Sequence, residues 1–162
     1  MTRIVLGFCL ALFACTTNNT PGDDDGGGGP PVEGLWSYSD TPKTNTCPGD
    51  VKTEEAGTFA IDQVTATSFR IAPNDGTDPF TCNLSDDGSF FNCPDRVKDV
   101  EDLHPDFDAV ITVHASASGT LSSPTSGNGS QNANASCAGT DCDAAGNVFP
   151  CSASVDFTIH AE

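Results

Sequence analysis

From Val32 onward, apolar side chains recur at every second position of the chain. Phe59 and Ile61 alternate with Ala60 and Asp62, and Phe69 and Ile71 flank Arg70. Ala109, Ile111, Val113, Ala115 and Ala117 alternate with Val110, Thr112, His114, Ser116 and Ser118. Val155, Phe157 and Ile159 alternate with Asp156, Thr158 and His160. In each run one face is apolar and the other mostly polar, as expected for antiparallel strands covering one core. Gly, Pro, Asn and Asp collect between the runs, at residues 73–79, 86–88 and 122–129, where turns need their backbone geometry. Residues 95–106 break the rule. There Val97, Val100 and Leu103 stand three apart and Pro105 follows, which predicts a short helix. The pattern gives an all-β domain of about eight strands in an antiparallel meander. Such a sheet either closes into a small barrel or, as the alternative, splits into a two-layer β-sandwich.

One hairpin is specified residue by residue. Asp87-Gly88 is a type I′ turn signal, and a two-residue loop there pairs Asp86 with Ser89, Leu84 with Phe91 and Cys82 with Cys93. Opposed cysteines on neighbouring strands lie within disulfide reach, which predicts a Cys82–Cys93 bridge. Cys47, Cys137, Cys142 and Cys151 remain, with three possible pairings that spacing alone does not decide. We expect Cys47 to tie the first connection to the C-terminal cluster. None of these cysteines forms the close CxxC knuckle that structural zinc prefers, so disulfides are expected and a metal site is not.

The N-terminal part has another grammar. Met1-Thr2-Arg3 carries one cation, residues 4–14 are apolar, and Cys15 is followed by a polar stretch with Asp23-Asp24-Asp25 and four glycines. A basic start, a short apolar core and a small residue before the break make an export signal, too short to span a bilayer. We therefore divide the chain into a signal peptide at 1–14, an N-terminus and disordered tether at 15–31, and a single β domain at 32–162. Export also places the cysteines in an oxidising compartment, where an even number can pair.

Leu12-Phe13-Ala14-Cys15 resembles the lipobox of bacterial lipoproteins, with Phe13 bulkier than the usual residue at its position. The resemblance implies that Cys15 becomes the first mature residue and carries a diacylglyceryl thioether, usually with a third, amide-linked chain. At about 0.8 kcal/mol per buried methylene, two or three such chains hold a protein on a membrane. Thr16, where an Asp would imply inner-membrane retention, points by analogy to the outer membrane. The alternative is an ordinary secretory signal cleaved nearby. Gly34-Leu35-Trp36 resembles the GxW element that opens lipocalin-type (calycin) barrels, which implies Trp36 packed at a closed end. The arginine that family carries on its last strand is absent from residues 152–162.

Charge narrows the function. With 6 basic against 23 acidic residues the net charge is −17, and loss of Arg3 with the signal makes it more negative. Such a surface repels phosphate backbones, so no nucleic-acid partner is expected. The histidines, His104, His114 and His160, read as solvent-facing, although His114 and His160 would be near neighbours if their strands paired. Asp106/Asp108 and Asp141/Asp143 are acidic loop pairs without an EF-hand pattern, expected to be solvated. No Gly-x-Ser-x-Gly elbow and no spare cysteine provide a nucleophile, so an enzyme is not expected and no cofactor is implied. The expectation is a membrane-anchored barrel that binds a small apolar or amphipathic molecule. Trp36, Phe59, Ile61, Phe69, Ile71, Ile111, Val113, Phe157 and Ile159 would form its core or pocket. The alternative is a cavity-free envelope or adhesion module.

Overall fold

A computed structural model describes residues 28–47, 55–143 and 149–162. Its eight strands are β1 (Gly34–Asn45), β2 (Glu55–Asp62), β3 (Ser68–Pro73), β4 (Phe80–Leu84), β5 (Phe90–Asp102), β6 (Val110–Ser123), β7 (Ser126–Ala138) and β8 (Cys151–Ala161). Each pairs antiparallel with the next, and β8 pairs back onto β1 from Trp36↔Ala161 to Asn45↔Ala153. The sheet is a closed barrel in sequence order, so the sandwich alternative is excluded. Closure leaves no unpaired edge strand among the described residues.

Alternation places the rings inside. Trp36, Ile61, Phe69, Cys82, Phe91, Cys93, Leu121 and Ile159 are buried together at one end of the barrel. Full burial of one such apolar side chain is worth roughly 1.5–3 kcal/mol. Trp36 is fully buried, stacks on Phe59 with centroids 6.4 Å apart, and donates its indole N–H to the carbonyl of Val32 at 3.0 Å. This is the closed end. The strands continue past it to the opposite, open end, where β5, β6, β7, β8 and β1 are long and β2, β3 and β4 short.

The β4–β5 hairpin has the expected register, with Leu84 opposite Phe91, but its loop is longer than the sequence signal suggests. Gly88 donates its N–H to the carbonyl of Ser85 at 2.9 Å, and Ser85 pairs with Phe90. Residues 86–89 thus form a four-residue loop, with Gly88 alone at positive φ (69°), instead of the two-residue type I′ turn. Both loops are centred on the same point, so the register is the same. Asp87 explains the choice. Its carboxylate accepts from the Ser85 hydroxyl (2.6 Å), the Ser89 hydroxyl (2.8 Å) and the Ser89 N–H (3.0 Å), which lowers its pKa to about 2.

Residues 95–106 are not a helix. β5 runs through to Asp102 and carries two register shifts against β6, between Cys93 and Arg96 and between Val97 and Asp99. The first shift leaves Val97 opposite His114 and the second leaves Val100 opposite Thr112, both on the outer face. The three-residue apolar spacing therefore comes from a β-bulge, not from a helical turn.

Residues before Val32 also contact the barrel. Pro31 is buried, Val32 donates its N–H to the carbonyl of Pro124 at 2.9 Å, and Gly28 lies against Ser89 and Leu121. Residues 28–32 form a strap across the closed end, within and next to the stretch expected as tether. At Gly28 the strap passes so close to the turn before β5 that a Cβ would stand 2.9 Å from Ser89 Cα. Cys15 and the rest of the expected signal and tether lie outside the described residues.

Three disulfides brace the barrel. Cys82–Cys93 crosses β4 and β5 with Cα atoms 4.1 Å apart. Cys47–Cys151 joins the end of β1 to the start of β8, and Cys137–Cys142 closes a short loop after β7.

Candidate functional site: the barrel cavity

A cavity of about 470 Å³ opens from the barrel interior toward the open end. This lies within the range of small-molecule sites, about 300–1,000 Å³. Every strand except β6 and β7 contributes an aromatic, aliphatic or half-polar wall residue, and those two contribute Ala117 and Gln131. The inner part is apolar. Phe69 meets Phe91 edge to face with centroids 5.8 Å apart, and Phe91 stacks with Phe157 at 6.3 Å. Space for these rings comes from two opposed glycines. A Cβ on Gly119 would stand 2.7 Å from Phe91 Cζ, and one on Gly129 would stand 2.6 Å from Phe157 Cζ.

Six of the nine expected core or pocket residues line this cavity: Phe59, Ile61, Phe69, Ile71, Phe157 and Ile159. Trp36 does not; it is buried behind Phe59, below the floor. Ile111 and Val113 are half-buried on β6 opposite Glu101 and Asp99, beyond the mouth, where only the long strands reach. Phe80, Phe91 and Tyr38 complete the aromatic wall.

The mouth is polar, with Asp40, Asn74, Asp75, Arg96, Lys98 and Gln131. The cations arrive through the bulges of β5. Phe91 and Cys93 point inward at odd positions, and regular alternation would send Arg96 and Lys98 to solvent. The first shift instead places Arg96 opposite the inward-facing Ala115, and Lys98 occupies the second shift with its side chain on the cavity. Pro94 within the strand is the one sequence sign of this irregularity. The Arg96 guanidinium carbon lies 3.8 Å from the centroid of the Phe80 ring, a cation–π contact. Burial lowers its pKa while Asp75 acts in the opposite sense, and a guanidinium stays charged at neutral pH. Asp75 is held below the ordinary carboxylate range first by Thr77, whose hydroxyl (2.7 Å) and N–H (3.0 Å) donate to it, with Lys98 adding attraction.

A second polar cluster sits on the rim of the open end. His104 Nδ1 is 2.6 Å from Asp102 and Nε2 3.1 Å from Asp108, so both ring nitrogens face carboxylates. The bond to Asp102, followed by that to Asp108, raises the His104 pKa. Asp108 also accepts from the Thr140 hydroxyl at 2.9 Å, and its backbone N–H donates to Asp141 at 2.9 Å. The cluster ties the β5–β6 connection to the loop closed by Cys137–Cys142. His114 and His160 do not meet. His114 bonds Asp95 at 2.8 Å on β6, and His160 lies across β7 from it at the closed end. Among the described residues, no three His, Cys, Asp or Glu side chains are arranged to hold a metal ion.

The six cysteines expected to pair are thus joined as 47–151, 82–93 and 137–142, and only Cys93 of these touches the cavity. Comparison with protein families, with curated proteins and with solved structures finds no match to this chain.

Proposed function

We propose that this protein is an exported lipoprotein, anchored through Cys15 in the outer membrane, whose lipocalin-like barrel binds a small apolar or amphipathic molecule without transforming it. The cavity carries the reading: about 470 Å³, apolar within and polar at the mouth. A molecule with an apolar body gains roughly 25 cal/mol for each Å² it removes from water there. The same observation weighs against a cavity-free adhesion module. The anchor rests on the lipobox resemblance of Leu12-Phe13-Ala14-Cys15, and the disulfides suit an oxidising compartment.

Native mass spectrometry of the full chain, expressed in a bacterium and purified from its envelope, tests the reading. Two results support it: a mass raised by acyl groups that Cys15→Ser removes, and a further bound species that unfolding releases. A chain with three disulfides and no bound species, which also fails to take up any apolar probe, would turn the choice to an interaction module.

A further inference from the structure

Resting on the binding reading above, we infer that the barrel takes an amphipathic monoanion, its apolar tail among the inner phenylalanines and its anionic head held at the mouth by Arg96 and Lys98. The distribution of positive charge points there. Four cations occur among the described residues of a chain whose net charge is −17. Arg70 is committed to a bidentate pair with Asp62 at 2.6 Å, and Lys43 pairs with Asp156 at 3.2 Å, both on the outside of the barrel. The other two, Arg96 and Lys98, both line the cavity. Neither has an ion pair or hydrogen bond among the described residues. Arg96 is half-buried with one face against the Phe80 ring, and its N–H donors meet no acceptor among the described residues.

Their placement is built, not incidental. The β-bulge at residues 94–95 of β5 is what brings these side chains to the inner face, and bulges re-aim side chains at functional sites. Asp75 stands near both cations and tunes the site. It neutralises them in part while the cavity is empty, and its own oxygen is occupied by Thr77. An anion entering the mouth meets two donors of charge-assisted hydrogen bonds, whereas a neutral head group meets only ordinary ones. The mostly acidic outer surface rejects free small anions at a distance. Affinity must then come from the apolar tail, and the cations select among tails by their heads.

The test uses three probes with one tail and different heads: dodecanoate, dodecanol and dodecylamine, titrated calorimetrically into the full chain at pH 7.5 below their aggregation limits. The expected result is dodecanoate binding at least ten-fold tighter than dodecanol, with dodecylamine weakest. Arg96→Gln should collapse the carboxylate-to-alcohol ratio toward one, Arg96→Lys should retain most of it, and Asp75→Asn should increase it. Equal affinity for all three heads, or a preference for the amine, overturns the head-group assignment and leaves the binding barrel standing. Failure of all three to bind overturns both. Circular dichroism of each variant separates a lost preference from a lost fold.

Discussion

Gly129 lies directly beneath the ring of Phe157, and a methyl group added there would stand 2.6 Å from Phe157 Cζ and 2.8 Å from the Cα of Gly119 on the facing strand. The neighbour on one side is backbone and cannot turn away. Gly129→Ala should therefore cost about 1–3 kcal/mol, the usual range for overpacking a filled interior. Urea denaturation followed by circular dichroism measures it. A midpoint equal to wild type would mean that β6 and β7 separate freely, contrary to the paired register between them.

The two disulfides at the open end should differ in worth. Cys47–Cys151 closes a separation of 104 residues and Cys137–Cys142 one of only 5. Loop-closure entropy gives about 4.7 kcal/mol for the first and about 2 kcal/mol for the second. The double Cys→Ser replacement at 47 and 151 should lower the denaturation midpoint further than that at 137 and 142. The reverse order would show that native-state packing, not chain entropy, sets the contribution of these bridges.

His104 makes stability depend on pH in a stated direction. Its carboxylate partners raise its folded pKa above the ordinary value of about 6.5. The clamp therefore contributes fully below that value and is lost as pH rises through the folded pKa. Asp102 and Asp108, lowered by their own hydrogen bonds, keep the clamp charged until the pH falls well into the acid range. The Tm difference between wild type and His104→Gln should be largest below the ordinary histidine pKa of about 6.5 and shrink as the pH rises past it. A difference that grows with pH would contradict the geometry.

Trp36 is the single tryptophan and is shielded by the strap. Removing residues 1–32 takes away Val32, the acceptor of its indole N–H, and uncovers the closed end. An unpaired buried donor costs about 1–3 kcal/mol. The shortened chain should show red-shifted, acrylamide-quenchable emission and a lower midpoint, while the full chain stays blue and protected. Identical spectra would mean that the strap covers nothing.

Much of this barrel is legible in the alternation of its apolar residues, because period two follows directly from the pleat of a strand. Phe59, Ile61, Phe157 and Ile159 identify the inner face and, with it, most of the cavity wall. Closure is not legible, since no local feature of β1 or β8 states that they pair with each other. Arg96 and Lys98 were hidden for a sharper reason. Alternation carried forward from Phe91 and Cys93 assigns them to solvent, and only a register shift at Pro94 and Asp95 turns them inward. The same irregularity imitated a helix at Val97 and Val100. A bulge thus removes from the sequence pattern the residues that most distinguish the mouth.

The chain enters and leaves the barrel at one end. The strap crosses the closed end beside Pro124, and the last residue, Glu162, donates its N–H to Leu35 at that same end. The strap and Glu162 thus both meet the floor of the cup, opposite its mouth. A molecule held by its strap is therefore held at the floor, with its mouth at the far end of the barrel from the point of hold.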